Sequence, residues 1–428
     1  MKAVVFEYKL RKLALSSILG AFTPKGYFTR LGHMKLKTIP DPHLFGDDWV
    51  IIRTEYCGIC GSDFKQAFLI GNKDNPITAI ISFPNVLGHE VVGIIEKAGP
   101  KVTRVKAGDR ITLYPNLCCI PREIEPCEAC QDGDFLLCRN LTDGKLAPGI
   151  HTGNSRDITG GFGELVPAHE TMVFPFPDSI TWKQAVLADP FCVALHGILK
   201  ASPAPGSTCV VYGCGTLGLC TVHALKQLYQ DINVIAITRY PRQVAIAKQF
   251  GADLVLGDRP SYGIVDKIGD YIHCDVHYPH RNKPWLIEGV DYVYDTVGSA
   301  ETLEIGVRIV KARVKGYASY ESTPGSIVIT GVHSPQRFEW TPWYFKDINI
   351  IGSNAYATED FEGTREHAYS HYLRLLEAGR IDPTPIITHT YPIAKWKDAL
   401  VAAEYKKKSD AVKVVLTYGS ENGQEGSA

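Results

Sequence analysis

The stretch EYCGICGSDFK, from Glu55 to Lys65, holds Cys57 and Cys60 at a spacing shared by redox dithiols and zinc knuckles. The cysteines downstream bear on the choice. In CCIPREIEPCEACQDGDFLLC, Cys127, Cys130 and Cys138 read C-x2-C-x7-C, and Cys119 or Cys118 lies shortly before them as a fourth sulfur. Four thiolates at tetrahedral geometry close a structural zinc site, which staples a lobe lacking its own core. The competing reading is a set of buried thiols. His89, in VLGHEVVG, and Asp189, in LADPFCVALHG, are unremarkable one at a time. Taken with Cys60 they supply the cysteine, histidine and carboxylate from which a catalytic zinc draws three ligands, leaving the fourth position open.

A second constellation is VVYGCGTLGL, with Gly213, Gly215 and Gly218 as G-x-G-x-x-G around Thr216 and Leu217. It directly follows an apolar run and opens a helical pattern. That context lets backbone approach a pyrophosphate whose charge sits at the helix N-terminus. The end of the next strand should select the dinucleotide. It reads VIAITRYPRQ, with Thr238 in the place of the usual acidic residue and Arg239 beside it. No carboxylate repels a 2′-phosphate there, and Arg239, with Arg242, can bind one through charge-assisted hydrogen bonds. NADP(H) is therefore expected over NAD(H).

These residues need elements to hold them. MKAVVF reads as an opening strand and LALSSILGAF, Leu13–Phe22, as a surface helix or lid, too short to span a bilayer. The first half is β-rich, with DWVIIRTEYCGIC, HEVVGIIEKAG and GDRITLYP as strands bounded by glycine and proline. From about Phe191 short apolar runs alternate with helices, the rhythm of a doubly wound parallel sheet. A closing strand, AVKVVLTY, should return to the first domain. The expected division is 1–191 with 351–428 as the zinc-binding domain and 192–350 as the dinucleotide domain. At 428 residues the chain can build both cores. A formal net charge of −1 gives no nucleic-acid footprint or membrane patch, and the expected address is the cytoplasm. Most of the 12 cysteines precede residue 140 and no secretory signal is read, so thiols and metal sites are expected rather than disulfides.

With GICGSD, GHEVVG, CEACQDGDFLLC, GGFGELV, DPFCVALHG and VYGCGTLG in this order, the chain resembles the zinc-dependent medium-chain dehydrogenases/reductases, which include alcohol, polyol and threonine dehydrogenases. The resemblance implies a GroES-like β-rich catalytic domain beside a Rossmann domain. It implies one catalytic zinc on Cys60, His89 and Asp189, with Cys57 outside the ligand set, and a structural zinc on the cysteine lobe. Glu90 matches a glutamate near the metal that replaces its water, and Asp63 a carboxylate hydrogen-bonded to the ligand histidine. Ser62 matches the hydroxyl that passes on the substrate proton. Two departures stand out: Lys65 replaces a relay histidine, and Ile124 stands where the family's first structural cysteine falls, so Cys119 or Cys118 must reach across. The implied reaction is hydride transfer between an alcohol or polyol and a nicotinamide, by a homodimer or homotetramer. A threonine-dehydrogenase-like amino alcohol oxidase and a silent nucleotide-binding redox sensor are the alternatives. The loop GIHTGNSRDITGG, with His151, Asn154 and Arg156, suits a polar substrate or is ordinary loop polarity. The long 258–290 segment reads as a lid, an oligomer contact or an exposed loop.

Overall fold

A computed structural model describes residues 1–71, 79–257, 261–280, 283–313, 324–332, 337–339 and 341–418. The chain divides into two units, Met1–Asp189 with Ile387–Ala428, and Pro190–Ile386.

The first unit is built on a mainly antiparallel sheet. Its order is Ile387–Pro392, Lys413–Thr417, Trp49–Gly58, Glu90–Ala98, Arg110–Leu113 and Val173–Pro175, with Leu165–His169 also paired to Trp49–Gly58. The expected closing strand does return here, setting Leu416 opposite Cys57. A smaller sheet of Met34–Thr38, Lys2–Phe6 and Asn85–Val86 lies alongside. Val4, Trp49, Ile52, Val91, Phe162 and Leu416 belong to one buried cluster. Alternation along these strands sends apolar side chains to that core.

The second unit is a six-stranded sheet, parallel throughout, in the order Leu254–Leu256, Asn233–Ile237, Thr208–Tyr212, Tyr292–Asp295, Ser326–Ile329, Asn349–Gly352. This is the dinucleotide-binding order 3-2-1-4-5-6, whose switch point lies at the carboxyl ends of the central strands. The long 258–290 segment is more than an exposed loop. Its described residues form a helix, Gly263–Ile272, and an antiparallel pair, Val276–His277 with Trp285–Leu286. Ile264, Val265, Ile268 and Leu286 enter the core of this unit.

The return to the first unit falls at Ile387 rather than at 351. The reason is a hairpin, Thr358–Phe361 with Thr364–His367, and the helix Ala368–Glu377 packed on it. Buried Glu359 accepts from His196 Nδ1 at 2.7 Å and its carbonyl meets His371 Nε2 at 3.0 Å, which ties the hairpin into the second unit. No helix among the described residues is long and apolar enough to cross a membrane.

Candidate active site

Cys60 is the N-cap of a short helix, Gly61–Ala67, and Asp63, its third residue, bonds back to the Cys60 N–H at 2.9 Å. The same carboxylate accepts from Gly88 N–H at 3.1 Å. One buried side chain therefore ties the helix start to the loop that delivers His89. Gly88 has φ +92°, and a β-carbon there would stand 2.6 Å from the Phe162 ring and 2.8 Å from Cys57 Sγ. Only glycine fits that turn. Asp63 Oδ1 faces His89 Nδ1 at 3.6 Å, an ion-pair distance outside hydrogen-bond reach. The expected direct hydrogen bond is thus an electrostatic contact. Burial disfavours the charged ring of His89, yet Asp63 and Cys60 outweigh it and raise the pKa well above the ordinary imidazole value.

Cys60, His89 and Glu90 bring one ligand atom each within 4.8 Å of one another. Asp189, expected as the third ligand, stands outside that group; Glu90 takes its place in it. Asp189 is the second residue of the helix Ala188–Leu199, and its negative charge is felt at Glu90. Space explains how Glu90 gets so close. A β-carbon on Gly58 would stand 1.9 Å from Glu90 Oε2, so the carboxylate occupies room that only glycine leaves. Burial is the first cause raising the Glu90 pKa; Asp189 adds to it and Lys413 opposes it.

Lys413 is a partner that the sequence reading missed. Its ammonium pairs directly with Glu90 Oε2, with side-chain exposures of 1% and 2%, and it donates to the Ile59 carbonyl at 3.3 Å. The signal was present as a lysine in the middle of the apolar strand AVKVVLTY. A cation buried on a strand needs an anion. His151 is the other recruit: its ring centroid lies 4.3 Å from that of His89, and its Nδ1 is 2.7 Å from the Thr152 carbonyl. Burial, and then the His89 charge, lower its pKa to about 3, so the ring is neutral. Of its loop companions, Asn154 is buried and gives its carbonyl to Ser82 N–H at 3.0 Å, whereas Arg156 is exposed beside Asp157. Ser62 is exposed on the first helical turn. Burial raises the Glu404 carboxyl pKa, and the charges of Lys406 and then Lys65 oppose it, which places Lys65 near that carboxylate.

The second cluster is Cys119, Cys127, Cys130 and Cys138, whose sulfurs all lie within 4.8 Å of one another. Zinc–sulfur bonds of about 2.3 Å at tetrahedral angles put sulfurs roughly 3.8 Å apart. Cys119 and Cys138 are already at 3.5 Å. Donors that favour thiolates surround them: Cys127 N–H and Asn140 Nδ2 reach Cys119 Sγ at 3.4 and 3.3 Å, and Asn140 N–H reaches Cys138 Sγ at 3.4 Å. Backbone N–H groups of Arg139 and Cys130 lower the Cys127 pKa to about 6. Burial raises the pKa of the Cys119 and Cys138 thiols, and Cys118 and burial raise that of Cys130, so those three depend on a metal to hold them as thiolates. Of the two cysteines left open as the fourth sulfur, Cys119 is in the group, while Cys118 stands against Cys130 and raises its pKa. Buried Arg122 braces the lobe by donating to the carbonyls of Leu117, Asp143, Leu146 and Gly149. Both clusters have the donor chemistry and spacing to hold zinc.

In the second unit, Thr208–Tyr212 runs through Gly213, at φ +90°, into the helix Thr216–Leu228. Gly215 is the N-cap and no side chain caps the helix, so the chain enters it at the kind of N-terminus that favours an anion. A β-carbon on Gly218 would meet the Gly213 carbonyl oxygen at 2.0 Å, which makes that glycine a packing requirement. Thr238 follows Asn233–Ile237, buried, its hydroxyl engaged by Gln243. Arg239 is exposed, with its guanidinium 5.0 Å from the Tyr240 ring centre.

A GroES-like zinc-site unit joined to a six-stranded dinucleotide sheet defines a class, the zinc-dependent medium-chain dehydrogenase. Comparison with known proteins agrees: residues 46–178 match the alcohol dehydrogenase GroES-like domain and 216–369 the zinc-binding dehydrogenase domain. The chain belongs to the zinc-dependent medium-chain dehydrogenase/reductase family. It is 29% identical to (R,R)-butanediol dehydrogenase of Saccharomyces cerevisiae, over 76% of this chain and 80% of that protein. It is 26% identical to sorbitol dehydrogenase of Bacillus subtilis, over 90% and 94%. A putative zinc-binding dehydrogenase of Sinorhizobium meliloti, solved bound to NADP, superposes with a TM-score of 0.65 at 26% identity, over 90% of this chain and 95% of that one.

Proposed function

We propose that the protein is a zinc-dependent oxidoreductase that transfers a hydride between an alcohol or polyol, or its carbonyl product, and NADP(H). The observation that carries this reading is the convergence of Cys60, His89 and Glu90, all within 4.8 Å, in a unit whose relatives act on butanediol and sorbitol. In this reading Cys60, His89 and Glu90 hold a catalytic metal, and Asp189 faces it as a further carboxylate. Cys119, Cys127, Cys130 and Cys138 hold a structural one. Zinc at the first site would supply Lewis acidity to an alcohol oxygen, and the nicotinamide would carry the hydride.

The chain's own residues do the rest. Asp63 fixes Cys60 and the Gly88–His89 turn relative to each other and holds His89 by charge. Exposed Ser62 takes the alcohol proton outward to solvent. Neutral His151 and Asn154 line the polar approach expected for a substrate bearing several oxygens. The helix N-terminus at Thr216 and Leu217, behind the glycine turn, receives the pyrophosphate. Arg239, unopposed by any carboxylate at Thr238, receives the 2′-phosphate.

The test is a nicotinamide-absorbance screen of polyols, sugars, amino alcohols and secondary alcohols with both dinucleotides, on protein with and without zinc. Turnover that is lost on zinc removal, and lost in Cys60→Ser and His89→Ala while dinucleotide binding survives, is the expected result. Near-normal activity in either variant refutes the assigned metal centre.

A further inference from the structure

The helix Leu10–Phe22 has an outward face that the proposed reaction does not use. Helical spacing puts Leu10, Arg11, Ala14, Ser17, Ile18, Ala21 and Phe22 on one arc, and all seven are exposed. Leu10, Ile18 and Phe22 show 75%, 60% and 85% of their surface. The opposite side packs inward through Ser16 and Leu13. Surface helices ordinarily present a polar face to water. Here the exposed arc carries a single charge, Arg11, among apolar and small residues, so the helix has an apolar face left over.

Charge indicates what covers it. The net charge of −1, from which no membrane patch was expected, averages over a local excess: between Tyr8 and Pro40 the chain has five lysines and two arginines and no Asp or Glu. Lys12 and Lys37 pair with Glu7, and Lys25 with Asp398. Lys9, Arg11, Arg30 and Lys35 have no ion-pair partner among the described residues. Several of these cations sit where they do the helix no good. The first turn has Arg11 and Lys12 and no acidic residue, at the end where the helix dipole favours anions. A second copy of the chain is a poor occupant, because a twofold contact sets this face against itself and brings like charges together with no carboxylate to receive them. An anionic, apolar partner satisfies both properties at once.

We infer that this face docks the protein reversibly on an anionic lipid membrane, with Leu10, Ile18 and Phe22 entering the headgroup–acyl boundary and Arg11, on the same arc, meeting the headgroups. Each Lys or Arg near an anionic leaflet contributes roughly fivefold in affinity. Such attachment is peripheral and leaves both units in water.

The test is co-sedimentation of the full-length protein with vesicles of phosphatidylcholine alone or mixed with phosphatidylserine. Binding is expected to the mixed vesicles and to weaken as salt shortens the Debye length. The double variant Ile18→Gln, Phe22→Gln, at two exposed positions, is expected to lose at least about tenfold in binding with its circular dichroism and activity unchanged. If it does not fold, Arg11→Gln alone is expected to lose about fivefold. Equal binding to both vesicles, no binding to either, or variants that bind like the parent overturns the inference. So does a parent that binds no vesicle but is a dimer by sedimentation, with the double variant a monomer, because the face is then a self-contact.

Discussion

The buried Glu90–Lys413 pair is the sharpest handle on the candidate metal centre. Both side chains are almost fully out of water, at 2% and 1% exposure. Lys413→Met therefore leaves a carboxylate buried with Asp189 nearby and without the ammonium that pairs with it. Breaking a buried pair from one side costs about 3–5 kcal/mol. For a unit of this size, roughly 2–4 °C per kcal/mol converts that to a fall of about 6–20 °C in Tm. Glu90→Gln strands the lysine and should cost a similar amount. The double variant removes both charges, and its loss should be well below the sum of the two singles, with a coupling of at least about 2 kcal/mol. Thermal unfolding of the four proteins after chelation completes the cycle. Losses that simply add would refute the claim that the two residues act as a charge pair.

A second arm of the same experiment asks what Glu90 does. If Glu90 is a metal ligand, zinc takes over the charge compensation that Lys413 supplied. The penalty of Lys413→Met should then be smaller in zinc-loaded protein than after chelation, because zinc binds only the folded form. Equal penalties in both states would remove Glu90 from the proposed ligand set and return the place to Asp189.

Three further outcomes follow from the geometry. Cys119→Ser should lose one equivalent of zinc by elemental analysis and lower the thermal midpoint, whereas Cys118→Ser should keep its zinc; the reverse pattern would exchange the two sulfurs. Arg239→Ala should raise KM for NADP by about 10-fold or more and leave that for NAD nearly unchanged, since a charge-assisted contact contributes about 1.5–3 kcal/mol; equal effects on both would place Arg239 away from the 2′-phosphate. His33 is fully buried, and burial lowers its pKa from the ordinary imidazole value of 6.5 to about 4, even with its Nε2 on the Ala67 carbonyl. Because the folded value is depressed, the unfolded chain takes up the proton first as pH falls through 6.5, and stability declines from there toward pH 4. The loss between pH 7 and 5 is about 2 kcal/mol, and His33→Asn should abolish that part of the slope in urea unfolding measured at the two pH values.

The fold was legible because its signals are local. Period-two apolar strands, the strand–glycine–helix passage at Gly213–Gly218, and the alternation after Phe191 each lie within a dozen residues. The cysteine lobe was legible for the same reason, since Cys127, Cys130 and Cys138 are close in sequence. Its fourth member was not, because Cys118 and Cys119 are adjacent and only backbone direction decides which sulfur turns inward. The domain return was misplaced for a different reason. The hairpin at Thr358–His367 is tied to the second unit by Glu359 and His196, 163 residues apart, and no local pattern reports such a bond.

The candidate metal centre shows where reading by position reaches its limit. Cys60, His89 and Asp63 were each assigned from motifs, and the structure adds the connection between them: one carboxylate caps the helix that begins at Cys60 and anchors the amide of Gly88. The choice between Glu90 and Asp189 is of another kind. Glu90 can reach the site because residue 58 lacks a side chain, and Lys413, arriving from a strand more than 300 residues later, opposes the burial that raises its pKa. Neither fact belongs to the motif that contains Glu90. A carboxylate next to a ligand histidine becomes a candidate ligand through its neighbours' volume and charge, so the identity of the third ligand is a property of the folded unit rather than of the GHE sequence.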